Sequence, residues 1–270
     1  MIRVVTVQIL KVVETVDTDE SWFTQGLEIH GHEGRNVVYQ STGMYGQSKL
    51  LAWDLDSRRI LTDVSLPPAS FGEGLTIVKD RLIQLTWQTT DALVYNLHAL
   101  SAGPTGKLTH PMRDGWGLAY HSGRDVVAGT DGSSTLYIMS PEDLSLIKSI
   151  EVTDDGVPIS RLNEIEWFGD RLLANIWFQP CVAEIDVDTG HVTSWLDMRN
   201  VEAEERQRVR QRAAPGMDVL NGVAYRPTVQ ELWVTGKYWG RLYRVEAVRE
   251  SDDAATVAEA RRACRSASVS

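Results

Sequence analysis

Five six-residue segments recur along the chain and constrain its fold more than any other feature. They are TQGLEI (24–29), GEGLTI (72–77), GWGLAY (115–120), LNEIEW (162–167) and LNGVAY (220–225), and their starts lie 48, 43, 47 and 58 residues apart. Each is followed by a turn and by two further short apolar runs, with a weaker fourth run before the next repeat. Four short strands per unit at a period of about 40–50 residues are typical of a β-propeller. The repeats therefore predict an all-β fold, a five-bladed β-propeller of four-stranded antiparallel blades.

The N-terminal run VQILKVVETV (7–16) is a spare strand, and the fifth repeat lacks a fourth strand after Arg249. We expect the N-terminal run to fill that place and close the ring, because closure removes exposed sheet edges. Residues 1–249 are thus predicted to form a propeller catalytic domain. Residues 250–270 are predicted to form a polar C-terminal tail that is partly disordered or helical.

One segment interrupts the regular spacing. Residues 200–218 are rich in helix formers, and Pro215 and Gly216 stop the pattern, so we expect one short inserted helix. Its mixed charges favour a solvated face over a binding surface.

Charge and composition exclude several classes of partner. The 270-residue chain is 43% hydrophobic with a net charge of -10, which argues against binding to nucleic acid or to an anionic membrane. The sequence offers no long uninterrupted apolar stretch and no signal-peptide core, so we expect a cytoplasmic monomer, or a secreted protein if a leader was removed. Its two cysteines, Cys181 and Cys264, are too few for a disulfide framework.

Two sets of residues are predicted to meet at one rim of the propeller, because strands joined by a hairpin begin and end on the same side. The strand-start residues lie at the beginning of the first strand of each repeat, and the strand-end residues lie at the end of the second strand. The strand-start residues are Gln25, Glu73, Trp116, Asn163 and Asn221; the strand-end residues are Thr42, Trp87, Asp131, Trp177 and Lys237.

The tryptophans divide into two groups. Trp87, Trp116 and Trp177 occupy rim positions that are polar in the other repeats, which indicates a walled pocket. Five other tryptophans are interpreted as packing residues: Trp22, Trp53, Trp167, Trp195 and Trp233. Asp131 precedes glycine and reads as a turn residue. The segment HGHE (30–33) looks like a metal-ligand pair, but it falls in a hairpin turn on the opposite rim, and no site is expected there.

Glu73 is the lone carboxylate among the strand-start residues. Burial would raise its pKa and a nearby Lys237 would lower it, which suits a group that passes protons. The sequence shows no Ser-His-Asp or Cys-His pair, so covalent catalysis has no evident nucleophile. The residues themselves indicate proton-transfer chemistry on a small polar group.

Two other readings of the same residues stay open at this point. Glu73, Asn163 and Asn221 could hold a divalent cation, as in metal-dependent propeller lactonases and related hydrolases, although hard cations prefer oxygen surroundings to an aromatic rim. A non-catalytic binding propeller is the second alternative. A protein that only binds a ligand would have no reason to place an acidic residue among the rim tryptophans.

Long motifs also carry a resemblance to a known family. FTQGLE, STGMYGQSKL, FGEGLT, GWGLAY, DGSSTLY, LNEIEW, LLANIW, DVLNGVAY and VTGKYWGRLY resemble segments of the plant and bacterial glutaminyl cyclases, or glutamine cyclotransferases, from about residue 20 to residue 245. This family is a five-bladed propeller. The resemblance implies cyclisation of the N-terminal glutamine of a peptide or protein to pyroglutamate, with release of ammonia and without a catalytic metal or other cofactor.

The resemblance also implies roles for single residues. The family's acid–base glutamate falls on Glu73, and Gln25, Asn163 and Lys237 would hold or polarise the carboxamide. Phe23, Phe71, Trp87, Trp116 and Trp177 would line the substrate pocket.

Overall fold

The computed structural model describes residues 5–212 and 216–265, and their fold is built almost entirely of β-strands. The chain begins with β1 (Thr6–Asp17) and continues into three antiparallel sheets of four strands each, every one in chain order. The first sheet is β2 (Thr24–His32), β3 (Arg35–Thr42), β4 (Lys49–Asp54) and β5 (Ile60–Ser65); the second is β6 (Gly72–Val78), β7 (Arg81–Thr86), β8 (Asp91–Asn96) and β9 (Gly106–Thr109); the third is β10 (Leu118–His121), β11 (Val126–Thr130), β12 (Thr135–Met139) and β13 (Leu146–Glu151).

The remaining strands form one ten-stranded sheet. They are β14 (Thr153–Asp154), β15 (Val157–Pro158), β16 (Leu162–Phe168), β17 (Arg171–Ile176), β18 (Cys181–Asp186), β19 (His191–Asp197), β20 (Leu220–Arg226), β21 (Glu231–Gly236) and β22 (Arg241–Ser251), joined by β1. The main order is β16-β17-β18-β19-β1-β22-β21-β20, and β14 and β15 lie off this path. Strand β1 pairs antiparallel with β22 and parallel with β19. The prediction that the N-terminal run supplies the missing strand beside the fifth repeat is confirmed.

The first strands of the five repeats contact one another in a closed order. Strand β2 contacts β6 and β20, β6 contacts β10, β10 contacts β16, and β16 contacts β20. These five strands therefore surround a common axis. Strand β6, a first strand, is buried along its whole length, whereas β13, the fourth strand of its sheet, is almost entirely exposed.

The hydrophobic core lies between neighbouring sheets. Trp53, Trp167, Trp195 and Trp233 are each at most 6% exposed, so the prediction that they are packing residues is confirmed. Trp22 is partly buried and lies against Trp53, with ring centroids 6.3 Å apart.

Helix α1 (Arg199–Arg212) forms within the predicted insertion. Pro215 lies outside the described residues. Glu205 and Arg208 depart from the predicted solvated face, because both are buried and form an ion pair on one side of the helix. Tyr243 Oη also donates to the Glu205 carboxylate at 2.6 Å, so this pair fastens the helix to the sheet.

Helix α2 (Ala254–Cys264) forms in the described part of the tail, and the 3-10 helix Leu97–Ala102 lies between β8 and β9. Asp253 caps α2, since its side chain accepts a hydrogen bond from Thr256 N at 2.9 Å. Val257 and Ala260 are buried in the core against the sheet. Neither α-helix is long and apolar enough to span a membrane among the residues described.

A disulfide joins Cys181 at the start of β18 to Cys264 at the end of α2. The cysteine count argued against a framework of several disulfides, and it gave no sign of this single bond. The side chains of Arg261 and Arg265 add ion pairs to Asp154, at 2.7 and 3.0 Å. The C-terminal helix is therefore attached both covalently and electrostatically.

We expect the variant Cys264→Ala to unfold more easily than the parent protein. The bond spans 83 residues, and loss of such a constraint on the unfolded chain lowers the free energy of unfolding by up to about 4 kcal/mol. Urea unfolding followed by tryptophan fluorescence measures this change. Added reductant should destabilise the parent and leave the variant unchanged. Equal unfolding midpoints for the oxidised parent and the variant would contradict a stabilising role for the bond.

Candidate active site

Glycines let the first strands approach one another closely at the axis. A Cβ atom at Gly74 would lie 2.5 Å from Trp116 O, and one at Gly117 would lie 2.2 Å from Asn163 O. A Cβ atom at Gly26 would lie 2.7 Å from Leu75 N. Each of these glycines follows a strand-start residue, so the lack of a side chain brings successive strand starts together.

Irregular pairing turns the strand-start residues away from the regular ladder. The register between first and second strands shifts between Thr24 and Gly26, between Gly72 and Leu75, and similarly in the fourth and fifth repeats. Bulges of this kind redirect a side chain and end strand pairing locally. Glu73 lies within the second of these shifts.

Glu73 is 3% exposed and is held by another strand-start residue. Gln25 Nε2 donates a hydrogen bond to Glu73 Oε1 at 2.9 Å. Asn221 Nδ2 donates to Gln25 Oε1 at 3.2 Å and to Thr24 O at 3.0 Å. Three predicted rim residues thus form one hydrogen-bonded row that fixes the direction of the carboxyl group.

Burial raises the pKa of Glu73 well above its usual range. The charge of Lys237 opposes this rise, and the charge of Asp114 adds to it. The effect of burial and the opposing effect of Lys237 both agree with the prediction from the sequence. The outcome is a carboxyl that holds its proton to a higher pH than an exposed glutamate does.

Lys237 is a second buried ionisable group, at 4% exposure. Burial lowers its pKa, while Glu73 and Asp218 act in the opposite direction. Its Nζ atom lies 4.7 Å from the ring centroid of Phe23 and 5.8 Å from that of Trp177. Such contacts stabilise a cation through the aromatic quadrupole.

Aromatic side chains form two contacting groups around these polar residues. In the first, the ring centroids of Phe23 and Phe71 are 6.0 Å apart and those of Phe71 and Trp87 are 5.3 Å apart. In the second, Trp116 meets Trp177 edge to face at 5.2 Å. Lys237 contacts one ring of each group, so the predicted aromatic residues lie around one mouth.

Buried carboxamide oxygens remain unpaired beside the mouth. Asn163 is 2% exposed and Asn221 is fully buried, and neither Oδ1 atom has a hydrogen-bond partner among the described residues. A buried acceptor without a partner is costly, so each oxygen is suited to an amide N–H of a bound molecule or to an ordered water.

Asp131 is a turn residue, as its sequence context indicated. It accepts hydrogen bonds from Ser133 N at 3.1 Å and from Tyr137 Oη at 2.9 Å. Thr42, the first strand-end residue, accepts from Lys49 N at 3.0 Å. These two residues stabilise the rim.

The other end of the axis opens into a cavity of about 770 Å³. Glu28 and Glu166 line it together with His30 and His121. Burial raises the pKa of Glu28 to about 7. No group of three or more His, Cys, Asp or Glu side chains is arranged to hold a metal ion within the described ranges.

Comparison with known proteins gives consistent results. Residues 2–247 match the sequence profile described as glutamine cyclotransferase. The chain is 34% identical over 242 residues to glutaminyl-peptide cyclotransferase of Arabidopsis thaliana, covering 90% of this chain and 72% of the relative. The chain belongs to the glutamine cyclotransferase family. The crystal structure of Myxococcus xanthus glutaminyl cyclase superposes with a TM-score of 0.75 at 27% identity, over 90% of this chain and 97% of that one.

Asp114 and Glu164 are not among the predicted site residues, although the sequence holds a signal for each. Asp114 accepts hydrogen bonds from Trp116 Nε1 at 3.1 Å and from Gln88 N at 2.7 Å, so it joins two rim loops. It stands two residues before a rim tryptophan. Glu164 accepts from Leu27 N at 3.3 Å and from Val223 N at 2.7 Å, and it takes the place that glycine holds in the other repeats.

We expect Gly74→Ala to destabilise the protein and disturb the mouth. The new methyl group would overlap Trp116 O and also the main chain at Gly117 and Leu118. Overpacking of this kind costs about 1–3 kcal/mol or more. Thermal unfolding measures the loss.

Gly31→Ala is the matched control, because the same substitution in strand β2 meets no atom within 4 Å. Its unfolding temperature should equal or slightly exceed that of the parent. Equal effects of the two substitutions would contradict the close approach at Gly74.

Proposed function

We propose that this chain is a five-bladed β-propeller enzyme that converts the N-terminal glutamine of peptides or proteins to pyroglutamate and releases ammonia. Family membership supports the activity, and the closed ring of five first strands supports the blade number. The observation that carries the proposal is the buried Glu73 carboxyl. It is held by Gln25 and lies in the field of Lys237 within an aromatic mouth.

The reaction is an intramolecular acyl transfer. The α-amine of the substrate attacks the carbon of its own γ-carboxamide, the new C–N bond closes the five-membered ring, and the C–N bond to the amide nitrogen breaks. Glu73 takes a proton from the attacking amine and delivers it to the leaving nitrogen, which departs as ammonia. Enzymes of this kind need no nucleophilic side chain, because the substrate supplies its own nucleophile.

The polar neighbours divide the remaining tasks. Lys237 donates to the γ-carbonyl oxygen, where negative charge develops as the amine attacks. The unpaired Asn163 Oδ1 accepts from an N–H of the same carboxamide. Both ends of the Gln25 side-chain amide are occupied by Glu73 and Asn221. We therefore assign Gln25 to orientation of Glu73, rather than to the direct hold on the substrate that the resemblance implied.

The aromatic residues bind the glutamine side chain and exclude water. Phe23, Phe71, Trp87, Trp116 and Trp177 are placed to hold it curled, so that the amine and the carboxamide carbon meet. Exclusion of water also favours ring closure over deamidation, since water is the competing nucleophile. The family match gives no support to a metal-dependent lactonase or to a non-catalytic binding protein.

Two further features bear on the compartment and the assembly of this protein. The N-terminal sequence favoured the cytoplasm. The Cys181–Cys264 disulfide favours an oxidising compartment, and with it the secreted alternative. A monomer suffices for the proposed chemistry, because every residue assigned a role comes from one chain.

We expect Glu73→Gln to lose cyclisation while the fold is retained. An amide of nearly equal size keeps the contact with Gln25 but cannot shuttle a proton, so kcat should fall by about 10²–10⁴. Mass spectrometry of a glutamine-initiated peptide measures the product, since cyclisation removes the mass of one ammonia. Glu33→Gln, in an exposed hairpin turn on the opposite rim, is the matched control. Parent-like turnover by a folded Glu73→Gln protein would rule out the proton shuttle.

We expect Lys237→Met to change the pH dependence of activity as well as the rate. A base must be deprotonated to act, so kcat/KM rises as the pH passes the pKa of Glu73. Lys237 lowers that pKa, and removal of its charge should move the acidic limb of the profile to higher pH.

The substrate amine titrates alike for both proteins, so a displaced limb reports on the enzyme. Lys11→Met, on an exposed part of β1, is the control that removes one positive charge at a distance. A profile of Lys237→Met that is lower but not displaced would show that Lys237 does not act on Glu73.

A further inference from the structure

Two exposed aromatic side chains continue the aromatic walls outward from the mouth. Tyr45 is 51% exposed and Phe178 is 54% exposed. The Tyr45 ring lies 5.4 Å from that of Phe71 and 6.4 Å from that of Trp87. Phe178 stacks on Trp177 with ring centroids 4.2 Å apart. Both rings therefore touch pocket residues on one side and solvent on the other.

The backbone at Phe178 is strained. Its φ angle is 70°, in the left-handed region that bulky residues rarely adopt and glycine adopts freely. The residues directly after the strand-end residue in three other repeats, Gln88, Gly132 and Tyr238, also have left-handed φ angles, of 57°, 77° and 59°. The left-handed turn is thus a feature of these rim loops, and at Phe178 it carries an exposed aromatic ring next to Trp177.

Arg161 also contacts this loop. Its guanidinium carbon lies 5.9 Å from the centre of the Phe178 ring. Its carbonyl oxygen accepts a hydrogen bond from Trp177 N at 2.9 Å. The Phe178 ring is thus held by an indole and a guanidinium group while about half of the residue stays exposed, which lowers the entropy cost of a further contact.

The geometry points to a binding shelf for the residue that follows the N-terminal glutamine, and this inference rests on the proposed function. With the glutamine at Glu73, the rest of the peptide leaves through the mouth and passes the outer aromatic rings. Phe178, which extends the Trp116–Trp177 group, and Tyr45, which extends the group of Phe71 and Trp87, would together select substrates with a large apolar or aromatic side chain at the second position.

The surroundings of the two rings favour an apolar side chain over an acidic one. The positive charge of Arg161 lies against the Phe178 ring, and that of Lys237 is opposed by the negative charges of Glu73 and Asp218. The exposed faces of Phe178 and Tyr45 offer a carboxylate no hydrogen bond. Apolar area is the chief interaction that these two rings provide.

The test compares two peptides that differ only at the second residue, Gln-Phe-Ala-amide and Gln-Gly-Ala-amide. The parent protein should show a higher kcat/KM for the phenylalanine peptide by about two- to tenfold, the range that one aromatic contact supplies. Phe178→Ala should remove most of this preference, because kcat/KM should fall for the phenylalanine peptide and stay unchanged for the glycine peptide. Tyr45→Ala should reduce it to a smaller extent.

Two further variants separate recognition from folding. Phe178→Gly relieves the left-handed strain, so it should fold at least as well as the parent and still lose the preference. Phe178→Tyr keeps the ring and should retain it. Phe168→Ala removes an exposed phenylalanine at the turn between β16 and β17, at the opposite end of the hairpin from Phe178. This variant should leave kcat/KM unchanged for both peptides.

The outcomes distinguish a failure of the proposed function from a failure of the proposed shelf. Turnover of neither peptide by the parent would overturn the proposed function itself. Turnover of both with no preference, or a preference that survives in Phe178→Ala and Phe178→Gly, would overturn the shelf and leave the cyclotransferase assignment in place.

Discussion

The close approach of five first strands around one axis is the constraint on which the rest of the structure depends. It requires positions without a side chain, and Gly26, Gly74 and Gly117 supply them where a Cβ atom would collide with the next repeat. Because the strands approach so closely, the side chains of Gln25 and Glu73 lie in one enclosed space instead of on separate surfaces. The glycines on either side of Glu73 therefore serve the acid indirectly: Gly74 lets the neighbouring strand come near enough to enclose it.

Enclosure is also the source of the electrostatics at the mouth. Burial disfavours the charged form of both Glu73 and Lys237, and each of these groups favours the charged form of the other. The pKa of the acid is raised and that of the base is lowered, which brings the two pKa values closer together. Buried groups whose pKa values are shifted by desolvation and by a specific charged partner are suited to proton transfer.

The sequence predicts those parts of the fold and of the site that depend on local period and on hairpin topology. The repeat places Glu73, Lys237 and the rim tryptophans at one mouth because every repeat has the same connection between strands. It does not predict the Cys181–Cys264 bond, since that pairing depends on where a separate C-terminal helix docks. Nor does it reveal the burial of Glu205, whose partner Tyr243 is distant in sequence. The strained backbone of Phe178 has no local signal, because phenylalanine disfavours that conformation.

The axis also separates structural acids from the proposed catalytic one. Inner strands that face each other outside a regular ladder leave main-chain N–H groups unpaired, and buried N–H groups need acceptors. Glu164 accepts from Leu27 N and Val223 N, and Glu28 accepts from Ile77 N, so these carboxyls complete the backbone hydrogen bonding of the ring. Glu73 has no such duty: its hydrogen bond within the described residues comes from the side chain of Gln25. A buried carboxyl that satisfies no backbone group adds a desolvation cost without stabilising the fold, and this cost is explained if the group acts on a substrate.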